Sequence, residues 1–395
     1  MKNSLWVIQF ICGLGLTTLP AQHVLTTGTP SDVQMDPAGL QAATKIIEDA
    51  VARDDARGAV LLVARRGKII LHEAFGWRDV EKKKPMEPNS MFRMASNSKS
   101  ITAAAVMLLV DDGKVGLDDP IHKFFPTFNH GDSTSITVRH LLTHTSGLRI
   151  GPIFLSPMIP KSEEQPDAPS LLLEVARFGA IGAEEKPGAA YSYNNAGYNT
   201  LAGLVEKLSG SYKDFLHSRL YEPLGMTDSF NHELDADHSR MSVVFRSHSG
   251  DGWRTGWKPG DAPDYPFPRG SGGMISTAYD YAIWCQTLLN GGVYDQKRVL
   301  SEAVVQEAIN PQGEAIPAAA GYGLGWSVSE AGGVFTHSGS DGTMAWVDPK
   351  RELIGCVFTQ SPGGPDRAAR AKEFQALITA ACTDTAPALD RRQPD

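Results

Sequence analysis

Cysteine is scarce in this chain, four in 395 residues with no Cys-x-x-Cys spacing, so neither a thiolate metal cluster nor a dithiol redox pair is offered. Long basic runs are missing too. Lys and Arg total 37 against 45 Asp and Glu, a net charge of −8, and a chain so balanced does not track a phosphate backbone; no nucleic acid partner is expected. No apolar stretch reaches the ~20 residues of a spanning helix, so no stable membrane span is expected. The Gly-x-Ser-x-Gly elbow of many hydrolases is also absent. What remains is ordinary globular material, 42% hydrophobic and 21% charged, which excludes a disordered or fibrous chain.

Residues 1–21 read as a secretory signal peptide: Lys2, an apolar run from Leu5 to Leu19, then Pro20-Ala21-Gln22 with a small residue for cleavage. Cys12 lies inside that run and not after small residues at its end, so lipid attachment is not expected. A periplasmic or secreted location follows. The mature chain would keep Cys285, Cys356 and Cys382; buried free thiols are expected, with a Cys356–Cys382 bridge as the alternative in an oxidising compartment.

Residues 36–382 form the expected domain. Leu40, Ala43, Ile46, Ile47 and Val51 recur at helical spacing after Asp36-Pro37. Residues 59–63 and 69–71 flank Arg65-Arg66-Gly67-Lys68 as a hairpin. Ser98–Asp111 is apolar all round and should be a buried helix. From 113 to 289 the pattern changes to helices at Val138–Thr143, Leu171–Arg177, Ala196–Leu208, Tyr212–Leu220 and Ala278–Leu289. The proline-rich stretch Ser156–Ser170 reads as a flap. Strands return at Gly323–Val328, Val334–His337, Thr343–Val347 and Leu353–Gln360, followed by a helix from Asp366 to Ala381. The order predicts an α+β fold, its α/β part (36–112 and 290–382) split by a helical insertion (113–289), with a disordered tail at 383–395.

Ser96-Asn97-Ser98-Lys99 is the single Ser-x-x-Lys of the chain. A serine hydroxyl needs a neighbour to take its proton, and a lysine can do so once burial lowers its pKa from about 10.4. The apolar helix beginning at Ser98 would supply the burial and, at its N-terminus, N–H groups for a developing anion. Read blandly, Ser96 would only cap that helix and Lys99 would sit at its surface. Two further segments weigh against that: Tyr193-Asn194-Asn195 and, on an expected strand, His337-Ser338-Gly339.

Taken in that order, Ser-x-x-Lys, Tyr-x-Asn and His-x-Gly resemble the serine β-lactamase and penicillin-recognising superfamily, and within it the class C β-lactamase-related serine hydrolases. The likeness runs from Leu40 to Ile378 and includes Leu141-Leu142-Thr143-His144-Thr145-Ser146-Gly147-Leu148 and Gly272-Gly273-Met274-Ile275-Ser276-Thr277. It implies an antiparallel sheet flanked by helices. By position, Ser96 would be the acyl-forming nucleophile, Lys99 its base partner and Tyr193 the relay to the leaving group, with Asn195 bonding the substrate. The oxyanion would lie between the N–H groups of Ser96 and Ser340, beside Ser338, and Gly339 would leave room for the acyl group. His337 stands where class C β-lactamases carry lysine, and a histidine is mostly neutral at pH 7. Strong β-lactam turnover is therefore not expected.

The implied protein is a serine hydrolase acting on a small ester, amide or peptide without metal or organic cofactor. A D,D-carboxypeptidase or weak β-lactamase is the alternative enzyme, and a non-turnover penicillin-sensing protein the alternative of another class. His140 and His144, four apart on an expected helix, lack the Glu of a zinc protease, so no metal is expected. Trp253, Trp257, Tyr265 and Phe267 would line the substrate cleft or pack against the protein.

Overall fold

The computed structural model describes residues 24–248, 252–329, 333–364 and 366–384; the signal-peptide reading falls outside them. Its central sheet contains β1 (Thr26–Thr27), β2 (Gly58–Arg65), β3 (Lys68–Asp79), β4 (Ser327–Val328), β5 (Phe335–Ser338), β6 (Thr343–Asp348) and β7 (Leu353–Phe358). Their order across the sheet is β1-β3-β2-β7-β6-β5-β4. All pairings are antiparallel except β1 with β3.

Strand β2 is buried along its whole length, and its side chains alternate between two apolar layers. Ala59, Leu61 and Val63 meet α1 (Pro37–Ala52) and the C-terminal α6 (Arg367–Ala380) through Leu40, Ile47, Phe374 and Ile378. Val60, Leu62 and Ala64 face the larger core, which holds α2 (Ser98–Asp111) and α5 (Ala278–Leu289) and continues through Phe128, Phe178 and Leu201 into the helical half. Each fully buried Leu or Ile here contributes about 2 kcal/mol, so Leu61→Asp would open the seam between sheet and helices. Helix α1 starts where Pro37 fixes the first turn and the Asp36 carboxylate accepts from the N–H groups of Ala38 (3.0 Å) and Gly39 (3.2 Å).

The helical half contains α3 (Leu171–Ile181), longer than the sequence suggested, and α4 (Asn195–Ser209). It is not purely helical. Val244–His248 and Gly252–Trp257 pair as a hairpin, and Phe92–Arg93 pairs with Ile275–Ser276; the alternating polar residues of the hairpin masked its strands. Tyr212–Leu216 is α-helical, but His217–Tyr221 continues as a π-helical turn. The strand expected at Gly323–Val328 shrinks to its last two residues, because Gly325 takes a positive φ of 84°. Within the expected flap, Arg177 Nη1 donates to the Pro157 carbonyl at 2.9 Å.

The expected free thiols are found, and one expectation about the C-terminal residues is overturned. Cys285, Cys356 and Cys382 are free thiols, and a Cys356–Cys382 bridge is blocked because Cys356 belongs to one apolar layer and Cys382 packs against the other. Thr383 and Asp384, placed in a disordered tail by composition, are held: Asp384 bridges Arg65 and Arg66 at 2.5 Å each, and Thr383 N–H donates to the Gln34 carbonyl at 2.9 Å. No helix among the described residues is long and apolar enough to cross a membrane.

Candidate active site

Ser96 sits at the N-terminal end of the helix, just ahead of its first α-helical turn. It lies in a 3-10 turn, Ala95–Asn97, that leads into α2. Ala95 is held at φ 45°, a left-handed conformation that alanine adopts only under constraint. The constraint is visible on both sides of the turn. Asn97 Nδ2 donates to Thr343 Oγ1 (2.8 Å) and that hydroxyl donates to the Met94 carbonyl (3.0 Å), tying the turn to β6. On the other side Met94 N–H donates to Met274 O, and Ser98 Oγ accepts from Met274 N–H.

Gly339 is needed for a reason within the protein itself. A Cβ there would come within 2.3 Å of the Met94 carbonyl and 2.4 Å of Thr343 Oγ1, so glycine is what lets the sheet edge close onto the Ser96 turn. The strand ends there in a tight turn, Gly339 N–H donating to Thr343 O and Gly342 N–H to Gly339 O. Ser338 and Ser340 are exposed on it.

Lys99 is wholly buried. Its Nζ lies 3.0 Å from Ser96 Oγ, 2.9 Å from Asn195 Oδ1 and 2.8 Å from the Ser271 carbonyl. Burial, with the Arg269 guanidinium nearby, holds its pKa well below that of an ordinary lysine. A neutral amine has two donors and one lone pair. In that form Asn195 and Ser271 would take the two donors and the lone pair would face the Ser96 hydroxyl. Asn195 opens α4 behind the Asn194 cap, whose Oδ1 accepts from Gly197 N–H at 2.8 Å. Ser271 is fixed by its N–H to Asn199 Oδ1 at 3.0 Å.

The Tyr193 ring packs 4.6 Å from Lys99 Nζ and remains 44% exposed to the cleft. Burial of its neighbourhood pushes its pKa up to about 12, although a contact with the Ser96 hydroxyl opposes this; at neutral pH it is a phenol. His337 is buried on β5. Its Nδ1 lies 3.1 Å from the Ser338 carbonyl, an acceptor, so Nδ1 carries the proton and Nε2 accepts from the Tyr322 hydroxyl at 3.2 Å. Burial and the Lys99 amine lower its pKa to about 3. It is a neutral polar group and not a cationic anchor.

The structure therefore gathers Ser96, Lys99, Tyr193, Asn195 and His337 about one cleft. Ser271, Arg269 and Tyr322 belong there as well and were missed as site residues; Ser271 acts through a carbonyl, which no side-chain pattern reports, and the adjoining Gly272-Gly273 was the one signal. A cavity of about 370 Å³ extends from Tyr193, His337 and Ser338 along the edge strand to Arg367 and Lys372 on α6.

Other expectations change. The helix ends at Leu142 and His144 follows at φ 60°, so His140 and His144 do not share a helical face. His140 Nδ1 engages Thr137 and His144 faces the tyrosines. Trp253 donates to the Asp54 carbonyl at 2.8 Å, Trp257 is buried against Arg93, and Tyr265 and Phe267 pack on Phe154; these four serve packing.

An antiparallel sheet flanked by helices, with a Ser-x-x-Lys turn drawn against the β5–β6 turn, defines the class: the serine hydrolases of the β-lactamase fold. The chain matches the Beta-lactamase family over residues 43–380 and belongs to it. It is 30% identical over 320 residues to penicillin-binding protein 4* of Bacillus subtilis (strain 168), covering 74% of this chain and 66% of the length of that relative. Among solved structures it is similar to EstCE1, described as a hydrolase with promiscuous acyltransferase activity (TM-score 0.70, 22% identity, 88% of this chain and 99% of that one). It is also similar to the D-amino acid amidase of Ochrobactrum anthropi SV3 (TM-score 0.66, 23% identity, 87% and 99%). At those identities the two structures speak for the fold.

Proposed function

We propose that the protein is a secreted hydrolase that cleaves a small ester or amide through an acyl-enzyme on Ser96. The observation that carries this is the Lys99 amine, with no exposed surface, 3.0 Å from Ser96 Oγ and bonded otherwise to uncharged oxygens. The Ser96 proton passes to the Lys99 lone pair as Oγ attacks the substrate carbonyl carbon. The oxyanion is met by the N–H groups of Ser96 and Ser340 on opposite sides of the cleft. Tyr193, a phenol next to both Ser96 and Lys99, relays the proton to the departing oxygen or nitrogen, and water then releases the acyl group. Asn195 holds Lys99 with its Oδ1, which leaves its amide nitrogen to face the substrate.

His337, neutral, offers no charge to a substrate carboxylate, which favours esters and simple amides over β-lactams. A second reading has one observation in its favour: Arg367 and Lys372 line the far end of the same cavity, where a carboxylate of a cell-wall peptide or β-lactam could be met. The two readings separate on a panel of short-chain nitrophenyl esters, D-alanyl amides and a cephalosporin. The reading as a whole requires that a fluorophosphonate label Ser96 and that Ser96→Ala abolish labelling; an adduct mapped to another serine overturns it.

A further inference from the structure

His144 makes unusual contacts for a residue in a connecting loop. It is 1% exposed and adopts φ 60° without being glycine, a conformation that persists only when its surroundings demand it. The surroundings are the two residues flanking Tyr193. Ser192 N–H donates to the His144 carbonyl at 2.7 Å, and Asn194 N–H donates to His144 Nδ1 at 3.0 Å. Between those two bonds the imidazole lies 4.3 Å from the Tyr193 ring, tilted by 33°. Its other sides meet Tyr198 at 4.9 Å and Tyr322 at 5.0 Å.

Because Nδ1 accepts, the ring proton resides on Nε2. That nitrogen is buried and has no hydrogen-bond partner among the described residues. An unbonded buried N–H and a left-handed backbone are both costly, and the one thing they secure together is the placement of Tyr193. Burial lowers the imidazole pKa well below its ordinary value, which keeps Nδ1 available to accept the Asn194 N–H.

We propose that His144 is the positioning residue for Tyr193: it clamps the backbone on both sides of the tyrosine and supports its ring, so that the phenol is aligned on Ser96 and the leaving group. His144 touches no substrate and transfers no proton. The left-handed bend turns its carbonyl toward Ser192 while its side chain reaches Asn194, an arrangement a helical residue could not make. The proposal rests on the assignment of Tyr193 as proton relay.

The test exploits leaving groups. A nitrophenolate departs without help, whereas an alkoxide or amine needs a proton. Tyr193→Phe should therefore lower kcat on an alkyl ester or alkyl amide by about 100-fold more than on the nitrophenyl ester of the same acid. His144→Asn keeps a residue that tolerates positive φ and removes the ring. It should show the same leaving-group dependence, about 10-fold or more, with KM little changed, and adding it to Tyr193→Phe should cost less than about 2-fold further. His144→Gln, whose longer amide offers an acceptor to Asn194 N–H, carries the same measurement should the Asn variant not fold. Equal losses on both leaving groups, or losses that multiply with Tyr193→Phe, overturn the proposal. If Tyr193→Phe itself shows no leaving-group dependence, the relay assignment falls instead, and the two failures are distinct.

Discussion

Two buried cations stand six positions apart on either side of the Ser96 turn and are treated in opposite ways. Arg93 is ringed by carboxylates: Asp264 at 2.8 Å, Asp341 at 3.3 Å and Glu233 at 3.7 Å, with the Trp257 ring at 5.0 Å. Burial works against its charge, but Asp341 and the other two carboxylates outweigh that and raise its pKa. Lys99 is buried more completely and given no ion pair among the described residues; burial and Arg269 lower its pKa. A paired buried charge holds structure together, whereas an unpaired one is poised to give up its proton. The fold anchors the turn with the first, and in the proposed reading the second activates the serine.

The two side chains should differ most in what their loss does to activity. Lys99→Met should lower kcat/KM on an amide by about 10⁴-fold, ~5.5 kcal/mol, with the protein still folded. Tyr193→Phe should lose much of the same factor, and the double variant should be little worse than Lys99→Met if, as proposed, the two residues handle one proton. Multiplying losses in steady-state kinetics would show that they act independently.

Arg93→Met should do the reverse and act on stability. It takes a cationic partner from Glu233 and from Asp341, which keeps Arg246, both carboxylates being buried, and removing one partner of a buried ion-pair network costs about 3–4 kcal/mol. Denaturant unfolding monitored by tryptophan fluorescence gives the number directly. A loss below about 1 kcal/mol would mean that Asp341 is satisfied by Arg246, 2.9 Å away, and that the Arg93 cluster is not the anchor.

The Ser96 and Lys99 pairing was legible because it is local: a motif ahead of an apolar helix announces its own burial. So were β2, whose unbroken apolar run has only one reading between turn residues, and α1, whose cap and proline mark its start. The helical half was read less well. The hairpin 244–257 pairs Arg246 with Arg254 on one face and leaves Thr255 exposed opposite Phe245, so its pattern looked like loop. His144 was taken into a helix because nothing in Thr143-His144-Thr145 signals a left-handed residue; that conformation is imposed by Ser192 and Asn194, fifty positions away. Gly339 was read correctly as required, yet its reason lay in the Met94 carbonyl, which is visible only once the turn is folded against the sheet.

His337 supplies a third, neutral case, and with it a smaller effect. Since its pKa lies at about 3, it carries no charge at pH 7, and kcat/KM for a short-chain ester should exceed that for a cephalosporin by more than about 100-fold, ~2.7 kcal/mol. His337→Lys should narrow the gap only if the added amine stays charged beside Lys99, in a place where the Tyr322 hydroxyl loses its acceptor. Arg367→Gln should leave the ratio unchanged. A cephalosporin turned over as well as the ester, with Arg367→Gln abolishing it, would transfer the role of anion anchor to α6.

The smallest effect is thermodynamic and concerns the unpaired cation alone. A lysine whose pKa is lowered by folding binds fewer protons in the native state than in the unfolded chain, between its folded pKa and about 10.4. Stability therefore rises with pH across that window as the unfolded chain loses its excess proton, and the penalty is fully present below the folded pKa. Lys99→Met has no such proton to lose. Relative to the wild type its Tm should be highest at the acidic end of the range and fall back as pH rises toward 10. The variant also leaves Asn195 Oδ1 and the Ser271 carbonyl without their donor, a cost that does not vary with pH and lowers both ends alike. The slope of the Tm difference against pH is thus the measurement, and not its sign at one pH. A flat difference would mean that Lys99 titrates normally in the folded protein and that the contrast with Arg93 is one of geometry alone.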